Sequence, residues 1–97
     1  MINVGEQYLI TIKRIMHRHV NNAEIRVFGS RLNENVKKYS DLDLAIVAKE
    51  KIALRVLTRM KEELEESDIP FRVDILDWHE ITDDFKKIIN ENYEVLK

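Results

Sequence analysis

Asp41 and Asp43 stand two residues apart at the head of an apolar run, Leu42-Asp43-Leu44-Ala45-Ile46-Val47, whose alternation is that of a β-strand. Side chains two apart on a strand point the same way, with Cα atoms about 6.6 Å apart, so both carboxylates lean towards one space. Leu42, Leu44 and Ile46 face the opposite side and need a core, which predicts a central strand. Two carboxylates on a half-buried strand repel each other and lose hydration. A hard divalent cation between them turns that cost into coordination. The plainer alternative is an edge strand on which water solvates both.

A third acid, Asp74, sits in Phe71-Arg72-Val73-Asp74-Ile75-Leu76. There Phe71, Val73 and Ile75 share one face, and Arg72, Asp74 and Leu76 share the other. If this strand neighbours the first, three carboxylates converge, enough to hold two hard cations about 3.5 to 4 Å apart, as phosphoryl transfer uses. Asp77 is a rival third ligand but falls in the opposite strand phase. Gly29 and Ser30 directly follow another alternating segment, Glu24-Ile25-Arg26-Val27-Phe28. A residue without a side chain lets phosphate approach the backbone, and a hydroxyl beside the free N–H groups of a short helical turn can bind its oxygens. Alone, Gly-Ser is an ordinary turn at a strand end. No Gly-rich run and no Gly-Lys-Ser/Thr occurs, which excludes a P-loop and a dinucleotide fingerprint.

The elements that must position these residues follow from periodicity. Tyr8, Leu9, Ile12, Ile15, Met16 and Val20 recur at helical spacing between residues 5 and 20, and Asn21-Asn22 mark that helix's end. The strand Glu24–Phe28 follows, then a polar stretch from Ser30 to Lys38 with room for only a short helical turn. After the strand at 42–47, Ile52, Val56, Leu57, Met60 and Leu64 predict a helix over 50–66, with Lys61 and Glu65 paired on its outer face. Pro70 bars its continuation into the strand at 71–76. Thr82 is an N-cap for a last helix with Phe85, Ile88 and Ile89 inward, and Asn92 suits a left-handed end. Tyr93, Val95 and Leu96 alternate as a short edge strand or a frayed tail. The order predicts an α+β fold, a small mixed β-sheet packed against helices.

Ninety-seven residues predict a single domain over 1–97, so a multidomain enzyme is excluded. With 35% charged and 44% hydrophobic residues the chain reads as folded and water-compatible, with a core small enough that a partner surface can matter to its stability. The absence of cysteine excludes disulfides, thiolate metal sites and cysteine nucleophiles, and a cytoplasmic location is expected. No secretion signal and no membrane-spanning apolar run is visible. The net charge of −2 argues against direct nucleic-acid binding. The first 48 residues nevertheless carry seven basic and five acidic groups, against nine and thirteen in the remainder, so an anion prefers the first half.

Val27-Phe28-Gly29-Ser30-Arg31, nine further residues, then Asp41-Leu42-Asp43-Leu44 and a later strand carrying Asp74 together resemble the minimal nucleotidyltransferase domains of the DNA polymerase β superfamily. The resemblance extends over essentially the whole chain. It implies a polymerase-β palm-like fold in which Gly29, Ser30 and Arg31 hold the triphosphate of ATP. It also implies that Asp41 and Asp43 ligate two Mg²⁺ ions and that Asp74 ligates the one beside the attacking hydroxyl. Small members of this family resemble antitoxins that transfer AMP to a tyrosine of a HEPN toxin, which makes such a toxin the implied partner and leaves homo- or hetero-oligomers open. Two positions depart from the pattern: Asn33 where many relatives have arginine and Glu34 where many have glycine, with Lys37 and Lys38 nearby as substitute charge. A noncatalytic subunit of the same fold, neutralising its partner by contact, is the alternative function.

The other side chains have blander readings. His17 and His19 point in different directions on a helix, and His79 lacks ligand spacing, so no zinc site is expected. Trp78 anchors a loop, and Tyr39 lies near the aspartates. Lys13, Arg14 and Arg18 form a solvated basic edge, with docking to a partner as the minority reading.

Overall fold

Helix α1 (Glu6–His19) turns Ile12, Ile15 and Met16 inward, as its periodicity requires, and stops where Val20 goes extended and donates its N–H to the Met16 carbonyl at 2.8 Å. Asn22, at φ 59°, takes the left-handed conformation that asparagine tolerates better than most residues. The chain then enters β1 (Glu24–Phe28), passes Gly29 and makes a 3₁₀ turn over Ser30–Leu32. The structure, a computed structural model, describes residues 2–32 and 40–97, so Asn33, Glu34, Val36, Lys37, Lys38 and Tyr39 lie outside the described residues.

Next come β2 (Leu42–Val47), α2 (Leu54–Glu66), β3 (Val73–Asp77), a 3₁₀ turn at Trp78–Glu80, α3 (Asp83–Glu91) and β4 (Glu94–Val95). The sheet order is β3-β2-β1-β4. β1 runs antiparallel to both its neighbours, whereas β2 and β3 are parallel, with α2 as the crossover such a pair needs. This is the expected mixed α+β arrangement. Ile25, Val27, Leu42, Leu44, Ile46 and Ile75 form one core with Ile12 and Met16 of α1 and Met60 and Leu64 of α2. The opposite face carries Phe28, Asp43 and Asp74; α3 lies over it through Phe85, edge-on to Phe28 at 5.9 Å.

Three boundaries differ from the sequence reading. α2 begins at Leu54 instead of residue 50: the chain stays non-helical up to Ala53, and buried Ile52 is held ahead of the helix with its N–H donating to Asp77 Oδ2 at 2.8 Å. β3 reaches Asp77, one residue beyond the expected end, and begins at Val73, after Phe71 and Arg72. Asn92 is extended at φ −156°, not left-handed, since the chain leaves α3 directly into β4. The tail does pair: Val95 sits opposite Arg26, and the Leu96 N–H reaches the Ile25 carbonyl at 2.8 Å. Thr82 caps α3 as expected, its Oγ1 accepting from the Phe85 N–H at 3.1 Å. No described helix is long and apolar enough to cross a membrane.

Candidate active site

The parallel pairing of β2 with β3 sets Asp43 directly opposite Asp74, and the antiparallel pairing of β1 with β2 sets Phe28 opposite Asp43. One row across three strands therefore reads Phe28, Asp43, Asp74. At the end of β1 the chain turns through Gly29 at φ +85°, a conformation that glycine adopts without strain. A Cβ built there would lie 2.5 Å from Asp43 Oδ2, so the carboxylate occupies the space that glycine leaves. The structure thus gives Gly29 a role that the sequence does not show, making room for an acid.

The electrostatics follow from this crowding. Burial pushes the Asp43 carboxyl above its ordinary pKa, the charges of Asp74 and Asp41 push the same way, and Arg72 opposes them. Asp41 is exposed, one residue ahead of β2. Asp74 is half-buried, and its Oδ1 accepts from Arg72 Nε at 2.8 Å. The structure thus opposes Asp43 and Asp74 and leaves Asp41 close enough to act on Asp43 through its charge. Among the described residues no three metal-ligating side chains are drawn into a ready-made cage. An oxygen-only donor set with unbalanced negative charge nevertheless suits a hard cation such as Mg²⁺.

A cleft of about 680 Å³ opens beside these acids, with Phe28, Asp43, Phe71, Arg72, Asp74 and Phe85 among its walls. That size is ordinary for a small-molecule site. Ser30 is exposed at the start of the 3₁₀ turn, where the Leu32 N–H closes back on the Gly29 carbonyl at 3.2 Å. Arg31, expected at the phosphate, is 6% exposed, with Nε donating to the Ser40 carbonyl at 3.0 Å and Nη1 to the Asn3 carbonyl at 3.1 Å. Its guanidinium also lies 4.3 Å from the centre of the Phe71 ring.

Asp77 keeps the opposite phase that the sequence indicated and has a structural task. It is 3% exposed and accepts from the Ile52 N–H at 2.8 Å and the His79 N–H at 3.0 Å. His79 Nε2 lies 2.8 Å from the Ala48 carbonyl, and His19 Nε2 lies 2.8 Å from Glu63 Oε1, bridging α1 to α2 beside Arg18. Trp78 anchors its turn: the Arg26 guanidinium lies 4.8 Å from it and 4.5 Å from Tyr93. Sequence reasoning did not single out Arg72 as the counter-ion of Asp74. Its signal was present, since Arg72 precedes Asp74 by two residues and so shares its face.

A family model described as "Polymerase beta, Nucleotidyltransferase" matches residues 11–97. The chain belongs to the polymerase β nucleotidyltransferase family. Among curated relatives, the "Probable protein adenylyltransferase MntA" of Haemophilus influenzae is 40% identical over 96 residues, which is 99% of this nucleotidyltransferase and 84% of the relative. The fold recurs in a crystal structure described as a toxin–antitoxin with AMP-PNP, at a TM-score of 0.78 and 17% identity, covering 92% of this chain and 72% of that one. It recurs again in a tri-AMPylated Shewanella oneidensis HEPN toxin in complex with MNT antitoxin, at a TM-score of 0.73 and 16% identity over 95% and 71% of the two chains. At those identities the likeness is one of fold.

Proposed function

We propose that this nucleotidyltransferase moves AMP from ATP to a hydroxyl, a tyrosine in the first instance, of a HEPN toxin and so acts as its antitoxin. The observation that carries the reading is the register that opposes Asp43, beside the Gly29 turn, to Asp74, both in the wall of the cleft. The 40%-identical relative, a probable protein adenylyltransferase, supports the choice of acceptor class, as do folds of the same kind found with AMP-PNP and with an AMPylated HEPN toxin.

In this reading Gly29 and Ser30 receive the triphosphate, the former by close backbone approach and the latter through its hydroxyl and the N–H groups of the turn. Asp41 and Asp43 would hold two Mg²⁺ ions, with Asp74 adding to the one on the acceptor side. Bound there, Mg²⁺ lowers the pKa of the acceptor hydroxyl and offsets charge on the departing pyrophosphate. Asp74 takes the hydroxyl proton on Oδ2, since Oδ1 is held by Arg72. The acceptor oxygen bonds to the α-phosphorus as the bond from the α-phosphorus to the oxygen bridging it to the β-phosphate breaks, and pyrophosphate leaves. The Phe28 and Phe85 rings wall the cleft.

The test is intact-mass analysis of the cognate HEPN toxin after incubation with this protein, Mg²⁺ and mixed nucleoside triphosphates. The expected product carries one or more AMP groups, and Asp41→Asn, Asp43→Asn and Asp74→Asn each abolish it. Neutralisation of the toxin with no added mass, undiminished in the triple variant, would replace transfer with inhibition by contact.

A further inference from the structure

The residue after the Gly-Ser turn is placed where a phosphate ligand is not expected. A guanidinium offers five N–H donors in a planar fork and two flat faces. In Arg31 two of these donors go to carbonyls of two separate segments, Nε to Ser40 at 3.0 Å and Nη1 to Asn3 at 3.1 Å, and the central carbon lies 4.3 Å from the centre of the Phe71 ring. Its backbone completes the tie to Asn3, the Arg31 carbonyl accepting the Asn3 N–H at 2.8 Å. Two of these contacts lead to parts of the site. Ser40 is bonded in sequence to Asp41; Phe71 lines the cleft and precedes Arg72, the ion-pair partner of Asp74; and Arg31 itself follows Ser30.

We infer that Arg31 is a positioning residue: one buried guanidinium fixes the Gly29-Ser30 turn relative to the backbone leading into Asp41 and to the aromatic edge beside Asp74, and it does not ligate the triphosphate. The inference rests on the adenylyl-transfer reading and separates from it experimentally. A triphosphate would meet a guanidinium that is 6% exposed and already engaged by two carbonyls and the Phe71 ring. Lysine cannot replace it, because an ammonium has neither the fork nor the flat face.

The experiment compares wild type, Arg31→Lys, Arg31→Ala and Phe71→Leu, each as the full chain with its toxin. It reads kcat for transfer and, separately without the toxin, ATP affinity by calorimetric titration at saturating Mg²⁺ and the Mg²⁺ concentration that half-saturates ATP binding. Positioning predicts that Arg31→Lys is as impaired in kcat as Arg31→Ala, by about 10- to 100-fold, the loss that small misplacements of reacting groups bring. It also predicts ATP affinity within about threefold of wild type, a raised Mg²⁺ requirement, and a smaller change in the same direction for Phe71→Leu. A tenfold or larger loss of ATP affinity in Arg31→Ala that Arg31→Lys restores would overturn it in favour of a phosphate ligand. Unchanged kcat and Mg²⁺ requirement in Arg31→Lys and Phe71→Leu would overturn it as well. If the arginine variants do not fold, Phe71→Leu decides alone by the same two readouts. If wild type transfers nothing, the functional reading fails, while the Mg²⁺ dependence of ATP binding still decides the question for Arg31.

Discussion

Asp43 Oδ2 lies where a side chain on Gly29 would begin: a Cβ at that position would be 2.5 Å away. The Gly29-Ser30 turn and the acid row are therefore one packing unit. The positive φ of Gly29 ends β1 and frees the volume into which β2 extends its carboxylate. The Gly29-Ser30 turn and the Asp41-Leu42-Asp43 segment, twelve residues apart between Gly29 and Asp41, are coupled in space as well as in the sequence pattern.

Gly29→Ala follows directly. The substitution brings a methyl group into the carboxylate and forces alanine to φ +85°, so a stability loss of about 1 to 3 kcal/mol is expected. Transfer activity per folded molecule should fall further than stability, by about 100-fold, because the displaced group is Asp43. Thermal melts and toxin mass analysis at matched folded fractions check this; a variant with near-normal transfer would show that Asp43 tolerates displacement.

Asp43→Asn should do the reverse to stability. Burial and the charges of Asp74 and Asp41 raise the native carboxyl above its ordinary 3.8, so between 3.8 and the raised value the folded protein binds more protons than the unfolded chain. Stability then falls as pH rises through that window, and the full penalty persists above it. The isosteric amide removes the penalty, so the variant should melt at a higher temperature near neutral pH, with the gain fading as pH falls through that window. Transfer should be lost at the same time. Equal melting temperatures for both proteins across the pH range would contradict the electrostatic account.

Asp77 stands three residues after Asp74 on the same strand and should respond in the opposite way. Its carboxylate holds the Ile52 and His79 N–H groups from a site 3% exposed. Asp77→Ala strands both donors and should cost about 2 to 3 kcal/mol, Asp77→Asn less, since its carbonyl oxygen still accepts. Transfer by the folded fraction should be unchanged in both. Urea melts paired with activity per folded molecule give the answer, and loss of transfer in a stably folded Asp77→Asn protein would return Asp77 to the ligand set.

Much of this was legible in the sequence because period-two alternation fixes faces. Leu42, Leu44 and Ile46 against Asp43, and Val73 and Ile75 against Asp74, assigned both acids to the side away from the core, and the phase of Asp77 set it apart. That β2 and β3 are neighbours could be posed only as a condition, since pairing is a long-range choice made by the crossover of α2. The late start of α2 is hidden for a similar reason: Ile52 keeps helical spacing, and the contact that holds it ahead of the helix comes from Asp77 on a distant strand. Arg31 reads from the sequence as a phosphate ligand, and its burial stays hidden because it depends on Phe71 and Asn3, which no local pattern connects to it.

The remaining prediction concerns the counter-ion. Arg72 Nε sits 2.8 Å from Asp74 Oδ1, yet its side chain is 75% exposed, so the pair contributes little to stability, about 0 to 1 kcal/mol. It also opposes the upward push on the Asp43 carboxyl from burial and from the neighbouring acids. A cation entering the acid row must therefore compete with Arg72 for Asp74 and meets a repulsive charge beside it. Arg72→Gln should leave the Tm of the metal-free protein within a few degrees of wild type while strengthening Mg²⁺ binding about two- to fivefold, the equivalent of roughly 0.5 to 1 kcal/mol. Mg²⁺ titrations followed by the rise in Tm, without nucleotide, read this affinity through mass action. If Arg72→Gln weakens the response to Mg²⁺, the guanidinium is holding Asp74 in a cation-ready orientation, and its removal costs more in geometry than it returns in charge.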